Sequence, residues 1–163
     1  MINCQAAKPD ELNEWLALAR EVEPLFGPMA DLPEFKAALA DAIAAGTALS
    51  ACDQAGALRG GIVIDPKHNE IAWLAVAASA RGQGLGQALL TCALKRLDPT
   101  RPVTVQTFDA SCAAGLPARR LYQACGFSDL APAEANPAGL PTVIMQRAAA
   151  TCSKTPDSPQ SSG

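Results

Sequence analysis

One histidine, His68, and one tyrosine, Tyr122, stand in a chain of 163 residues. With a single imidazole and no Cys-x-x-Cys, an ordinary zinc site is not expected, and no metal is assigned. Aromatic residues make up only 4%, so the apolar fraction of 49% is mostly alanine and leucine, ample for one sizeable core. No stretch approaches the roughly 18 uninterrupted apolar residues of a membrane span. Met1-Ile2-Asn3-Cys4 has neither the basic flank nor the apolar segment of a secretory leader. A net charge of −3 lacks the basic excess that nonspecific nucleic-acid binding requires. The six cysteines (Cys4, Cys52, Cys92, Cys112, Cys125, Cys152) are scattered and read as reduced, partly buried thiols. These absences leave a soluble cytoplasmic protein of one domain, without nucleic-acid or membrane partners.

Periodicity supplies the elements. A strand is predicted over 2–7 and a helix over 9–21, its buried stripe formed by Leu12, Trp15, Leu16 and Ala19. Proline and glycine make 23–30 a loop with apolar, pocket-forming side chains. Asp31-x-x-Glu34 resembles a capping box, with Pro33 in the first turn of a helix that ends at Gly46. Strands over 47–52, 57–65 and 70–77 are joined by short turns and so run antiparallel. A helix over 84–97 leads to a strand over 103–108, an order that suggests a parallel crossover. A helix over 117–125, closed by Gly126, and strands over 127–130 and 142–146 complete the pattern. The domain is expected to span 1–147, with 148–163 a disordered tail.

Residues 70–86 organise the rest. An apolar strand ends in the basic, glycine-rich turn Arg81-Gly82-Gln83-Gly84-Leu85-Gly86, and a helix follows at once. A helix start offers unpartnered N–H groups and a partial positive charge, which suit a diphosphate. Glycine at 82, 84 and 86 removes side chains from its approach. The alternative is a glycine connection that holds nothing. A dinucleotide-binding fingerprint needs Gly-x-Gly-x-x-Gly and a later acidic residue, and a P-loop needs Gly-Lys-Ser/Thr; neither spacing is present.

The turn instead resembles the acetyl-CoA signature of the GNAT (GCN5-related) N-acetyltransferases, Arg/Gln-x-x-Gly-x-Gly/Ala, through Arg81, Gly84 and Gly86. The lead-in Leu74-x-Val76 and the later Ala118-x-x-Leu121-Tyr122-x-x-x-Gly126-Phe127 match as well. The resemblance implies a mixed, mostly antiparallel α/β (α+β) sheet with helices on both faces. It implies acetyl-CoA as acyl donor, with Leu74 and Val76 facing the pantetheine arm. Arg81, Gly82, Gln83, Gly84, Leu85 and Gly86 would hold the pyrophosphate.

Tyr122 stands where the family carries its tyrosine and is the candidate general acid for the departing thiolate; otherwise it is a core-edge aromatic. Glu70, eleven residues before Arg81, is the candidate base, or a charge exposed at a strand end with water relaying the proton. His68 reads better as a turn residue than as a base. Asp109 could hold an ammonium or cap a loop, and Arg119 and Arg120 could reach phosphates or form a solvated face. The family's usual asparagine seven residues before the tyrosine is replaced by Gly115, which puts affinity for the donor in question. No histidine pairs with Cys112 or Cys125, so direct attack of the amine in a ternary complex is expected. The resemblance therefore implies acetyl transfer to a primary amine, on a small molecule or a protein, and mild acidity favours a small cationic amine. The alternative is a noncatalytic acyl-CoA-binding sensor or interaction module of the same fold. Exposed strand edges allow a monomer or a homodimer.

Overall fold

The computed structural model describes residues 3–150. Seven strands, β1 (Asn3–Ala6), β2 (Ala48–Cys52), β3 (Leu58–Asp65), β4 (Glu70–Val76), β5 (Val103–Phe108), β6 (Phe127–Ala133) and β7 (Thr142–Arg147), form one sheet. Its spatial order is β1-β2-β3-β4-β5-β7-β6, and every neighbouring pair is antiparallel except β4 with β5. Four α-helices pack on it: α1 (Leu12–Phe26), α2 (Pro33–Ala45), α3 (Leu85–Arg96) and α4 (Leu116–Ala124). This is the mixed, mostly antiparallel sheet with helices on both faces that the resemblance implies. The tail expected to be disordered falls largely outside the described residues.

Adjacent glycines in β3 show how the faces are covered. A Cβ on Gly61 would fall 2.4 Å from the ring of Trp15 in α1, and one on Gly60 would fall 3.0 Å from Leu89 Cδ1 in α3. Consecutive strand residues face opposite sides, so α1 and α3 lie on opposite faces. Leu39 and Ile43 of α2 join Trp15 in its apolar cluster. α4 joins the α3 face, where a Cβ on Gly86 would stand 2.9 Å from Leu121 Cδ2.

Two expectations near α1 are corrected. The helix does not stop before 23–30 but runs through Pro24 to Phe26, where the Gly27 N–H reaches Glu23 O at 2.8 Å. An interior proline costs about 3 kcal/mol through its missing donor. Pro24 is exposed in the last turn, and continuing the helix seats Phe26 against Trp73 and Phe108 at 6.2 and 5.9 Å. The capping box also fails. Pro33 holds the residue before it extended, so Leu32 becomes the N-cap, and Asp31 pairs with Arg20 at 2.9 Å. Glu23 takes over the loop, accepting the N–H groups of Met29 and Ala30 at 2.9 Å each.

The last helical and strand expectations hold to within a few residues. β6 is longer than 127–130 and passes through Pro132, which an edge strand tolerates because no neighbour needs its N–H.

Candidate active site

β4 and β5 pair in register only at Glu70 with Thr104 and Ile71 with Val105. Beyond that point β4 stays with β3 and β5 stays with β7, so the two strands diverge. A cavity of about 730 Å³ occupies the opening. Its walls come from both faces of the sheet: Val22, Leu25 and Phe26 of α1 on one side, Ala118, Leu121 and Tyr122 of α4 and the start of α3 on the other. The cavity therefore passes through the sheet.

The free edge of β4 supplies its polar groups. The Ala77 N–H donates to Arg59 O at 2.8 Å, so Ala77 and Ala75 turn their backbone groups toward β3. By alternation Leu74 and Val76 turn theirs toward the opening. Val76 O accepts from Arg81 Nε at 3.3 Å, which leaves the Val76 N–H facing the cavity.

The glycine turn forms one end. Gly82 and Gly84 have φ of 77° and 83°, left-handed values that other residues adopt at a cost. Gly84 is the N-cap of α3, and its carbonyl takes the Ala88 N–H at 3.0 Å. The N–H groups of residues 82–87 have no backbone carbonyl partner among the described residues. They surround a helix start with Arg81 beside them, an arrangement whose partial positive charge suits an anion. Arg81, Gly82, Gly84, Leu85 and Gly86 line the cavity; Gln83 faces a second, smaller hollow beside Arg59 and Asp53.

Tyr122 is 4% exposed, lines the cavity and packs edge-on against Phe127 at 5.5 Å. Burial pushes its phenol well above the ordinary value and keeps it protonated. Glu70 is not brought to the cavity. It stands at the paired end of β4, in a cluster with Asp65 and His68 whose ligand-capable atoms lie within 4.8 Å of one another. His68 Nδ1 is 2.7 Å from Asp65 Oδ2, and that carboxylate raises the imidazole pKa. Ala72, two residues on, does line the cavity, but the β3–β4 register shifts at that point, so alternation from Glu70 does not continue to Leu74 and Val76. Asp109 caps its own loop by accepting the Ser111 N–H at 2.8 Å.

Arg119 occupies neither place open to it in the sequence. It is 6% exposed, donates to Phe108 O at 3.2 Å and grips both oxygens of Asp129 at 3.0 and 3.1 Å, tying α4 to β5 and β6. The signal was its position three residues before Tyr122, on the inward side of the helix. Gly115 also gains a reason: a Cβ there would fall 2.2 Å from Phe108 Cβ. Phe108 fills the space that a side chain at 115 would need.

The apolar side chains expected to form a pocket from 23–30 do so through Leu25 and Phe26, but the rest of the opposite wall was not expected from the sequence. Phe26, Trp73 and Phe108 meet there, and the loop from Glu134 to Pro137 closes over it. Asn136 fixes that loop by donating to Leu25 O at 2.8 Å and accepting the N–H groups of Ala138 and Leu140 at 3.0 Å each. No helix of the described residues is long and apolar enough to cross a membrane.

Comparison with known proteins bears on this geometry. A family model described as an acetyltransferase (GNAT) domain matches residues 44–129. An acetyltransferase of the GNAT family from Bacillus cereus has a TM-score of 0.70 at 17% identity, over 91% of this chain and 97% of that one. A GNAT superfamily phosphinothricin acetyltransferase from Sinorhizobium meliloti, solved with AcCoA, has a TM-score of 0.71 at 22% identity, over 97% and 94%. The PaiA N-acetyltransferase of Thermoplasma acidophilum, solved with coenzyme A, scores 0.69 at 16%, over 91% and 99%. No curated protein matches in sequence.

Proposed function

The chain belongs to the GNAT acetyltransferase family, and from that premise we propose that it transfers an acetyl group from acetyl-CoA to a primary amine by direct attack in a ternary complex. The observation that carries the reading is the opening between β4 and β5, which joins an anion-binding helix start to a cavity with Tyr122 in its wall. When bound, the donor that this family uses, acetyl-CoA, supplies the thioester.

The chain's own groups fit that donor. Arg81 and the N–H groups around Gly82, Gly84 and Gly86 hold a diphosphate, and glycine there lets it approach the backbone. The free edge at Leu74 and Val76 offers a strand-like partner to an amide-containing arm, and the Val76 N–H is the donor placed to steady a carbonyl oxygen as it gains charge. Tyr122 stays protonated and donates to the departing sulfur. Glu70 lies outside the cavity lining, so it serves as base only through a relay of water past Ala72.

Isothermal titration with acetyl-CoA, followed by assay of thiol release with amines, tests the reading. Arg81→Glu should lose binding at least tenfold, and Tyr122→Phe should bind normally while kcat falls about a hundredfold, the size of a typical general-acid contribution. Glu70→Gln should lower kcat, and an unchanged kcat removes the base role. Binding without thiol release from any amine would instead leave a noncatalytic acyl-CoA module, and no binding by folded protein would make the glycine turn structural.

A further inference from the structure

The wall facing the glycine turn has a composition unlike the rest of the chain. Four of the seven aromatic residues, Phe26, Trp73, Phe108 and Tyr122, line this one cavity. Phe26 stands edge-on to Trp73, with an interplanar angle of 81°, and leans on Phe108 at 5.9 Å, so the three rings form one continuous apolar surface. Among the described residues the lining contains one acidic residue, Glu134, and one basic residue, Arg81. Arg81 is at the glycine turn and bonded to Val76 O. Glu134 is exposed on the β5–β7 side of the opening, just past the last β6–β7 pair, and its backbone carbonyl is bound by Thr142 Oγ1. The loop is thus held in place, while the Glu134 side chain has no hydrogen-bond or ion-pair partner among the described residues.

From this distribution we infer that the acceptor is a monoamine carried on an apolar, preferably aromatic, body, and that Glu134 determines specificity by drawing in its ammonium; this rests on the acetyltransferase reading above. An apolar body gains by covering the Phe26, Trp73 and Phe108 surface. A polyamine or an aminoglycoside would bring several further cations against that surface with no carboxylate to meet them, and an unpaired charge taken from water is costly. One acidic residue matches one ammonium. The neutral amine then attacks the thioester carbonyl, forming the C–N bond as the C–S bond breaks. The bound ammonium has by then given one proton to solvent; the amine loses a second as the amide forms, and this balances the proton that Tyr122 gives to the thiolate, so one proton is released per turnover.

The test is a comparison of kcat/KM for phenethylamine, tryptamine, putrescine, spermidine, kanamycin and a lysine peptide at saturating acetyl-CoA, with the full chain. The arylalkylamines should lead the polyamines and kanamycin by at least about tenfold, the value of one buried ring against a solvated chain. Glu134→Gln should raise KM for phenethylamine about tenfold with little change in kcat, as expected when an interaction serves binding alone. Phe108→Leu should raise KM for phenethylamine more than for putrescine. A preference for spermidine, kanamycin or the peptide, or a Glu134→Gln enzyme with unchanged KM, overturns the inference and leaves the acetyltransferase reading standing. Turnover with none of these amines, despite acetyl-CoA binding, removes both.

Discussion

At the scale of single residues, Gly115 and Phe108 act as a pair. Gly115 opens α4 and Phe108 ends β5, and a Cβ at 115 would fall 2.2 Å from Phe108 Cβ and 2.4 Å from its Cγ. A Cβ cannot swing away as the far end of a side chain can, so relief requires the start of α4 to move. Gly115→Ala should cost about 1–3 kcal/mol, as overpacking of a core does. It should also displace Leu121 and Tyr122, lowering kcat together with the melting temperature. Combining Gly115→Ala with Phe108→Ala should not restore the stability, since alanine keeps the Cβ that lies 2.2 Å away and the variant also gives up a buried ring. Recovery in the double variant would mean that the clash is with the ring of Phe108 rather than with its Cβ. Trp73 belongs to the same wall and carries a different tension: its Nε1 is buried with no hydrogen-bond partner among the described residues.

At the scale of elements, the connection between α1 and α2 depends on one carboxylate. Glu23 accepts the Met29 and Ala30 N–H groups, and those two bonds hold its pKa below the ordinary carboxylate value. A folded-state pKa that is depressed contributes stability above the unfolded pKa, and the contribution is lost as pH falls through the folded value. Acidification below the usual carboxylate range should therefore release the Met29 and Ala30 amides, seen as a shift of their NMR resonances with a midpoint under that of a free glutamate. Glu23→Gln should remove the titration. A midpoint at the free value would mean that the carboxylate does not cap the loop. Such elements also show what a sequence discloses. The glycine turn, the β4-α3-β5 crossover and the Tyr122 helix were legible because each is specified by residues close in the chain. The aromatic wall was legible only at Phe26, within the apolar segment 23–30; Trp73, Phe108 and Glu134 come from other parts of the chain and meet it only through sheet order. β7 enters between β5 and β6, a placement that no local pattern encodes, and it is this order that sets the Glu134 loop against the end of α1. The helix through Pro24 was hidden for a related reason: tertiary contacts of Phe26 outweigh local propensity.

At the scale of the whole molecule, the sheet is two antiparallel blocks, β1 to β4 and β5 to β7, joined by a parallel seam of two register pairs. So short a seam needs reinforcement, and Asn69 provides it from the turn between β3 and β4. It is 1% exposed with φ of 54°, and its Nδ2 reaches the carbonyls of Asp98, Arg101 and Pro102 at 3.0, 3.3 and 3.1 Å. Its Oδ1 accepts the Asp98 N–H at 2.8 Å. One side chain thus fastens the turn of the first block to the approach of β5, at the apex from which the cavity opens. Asn69→Ala would leave these buried backbone groups without their partner and place a less tolerant residue at positive φ. The expected cost is about 2–4 kcal/mol in chemical denaturation. Asn69→Asp keeps the acceptor for the Asp98 N–H but sets a buried carboxylate oxygen against the Asp98, Arg101 and Pro102 carbonyls, so it should cost at least as much. Because acetyl-CoA on this reading spans the opening and contacts both blocks, it should raise the melting temperature of the Asn69→Ala protein as mass action requires. The same ligand concentration should then stabilise wild type and variant equally if Asn69 only fastens the apex. A weaker stabilisation of the variant would mean that the apex also sets the width of the opening, and that the seam controls affinity as well as folding.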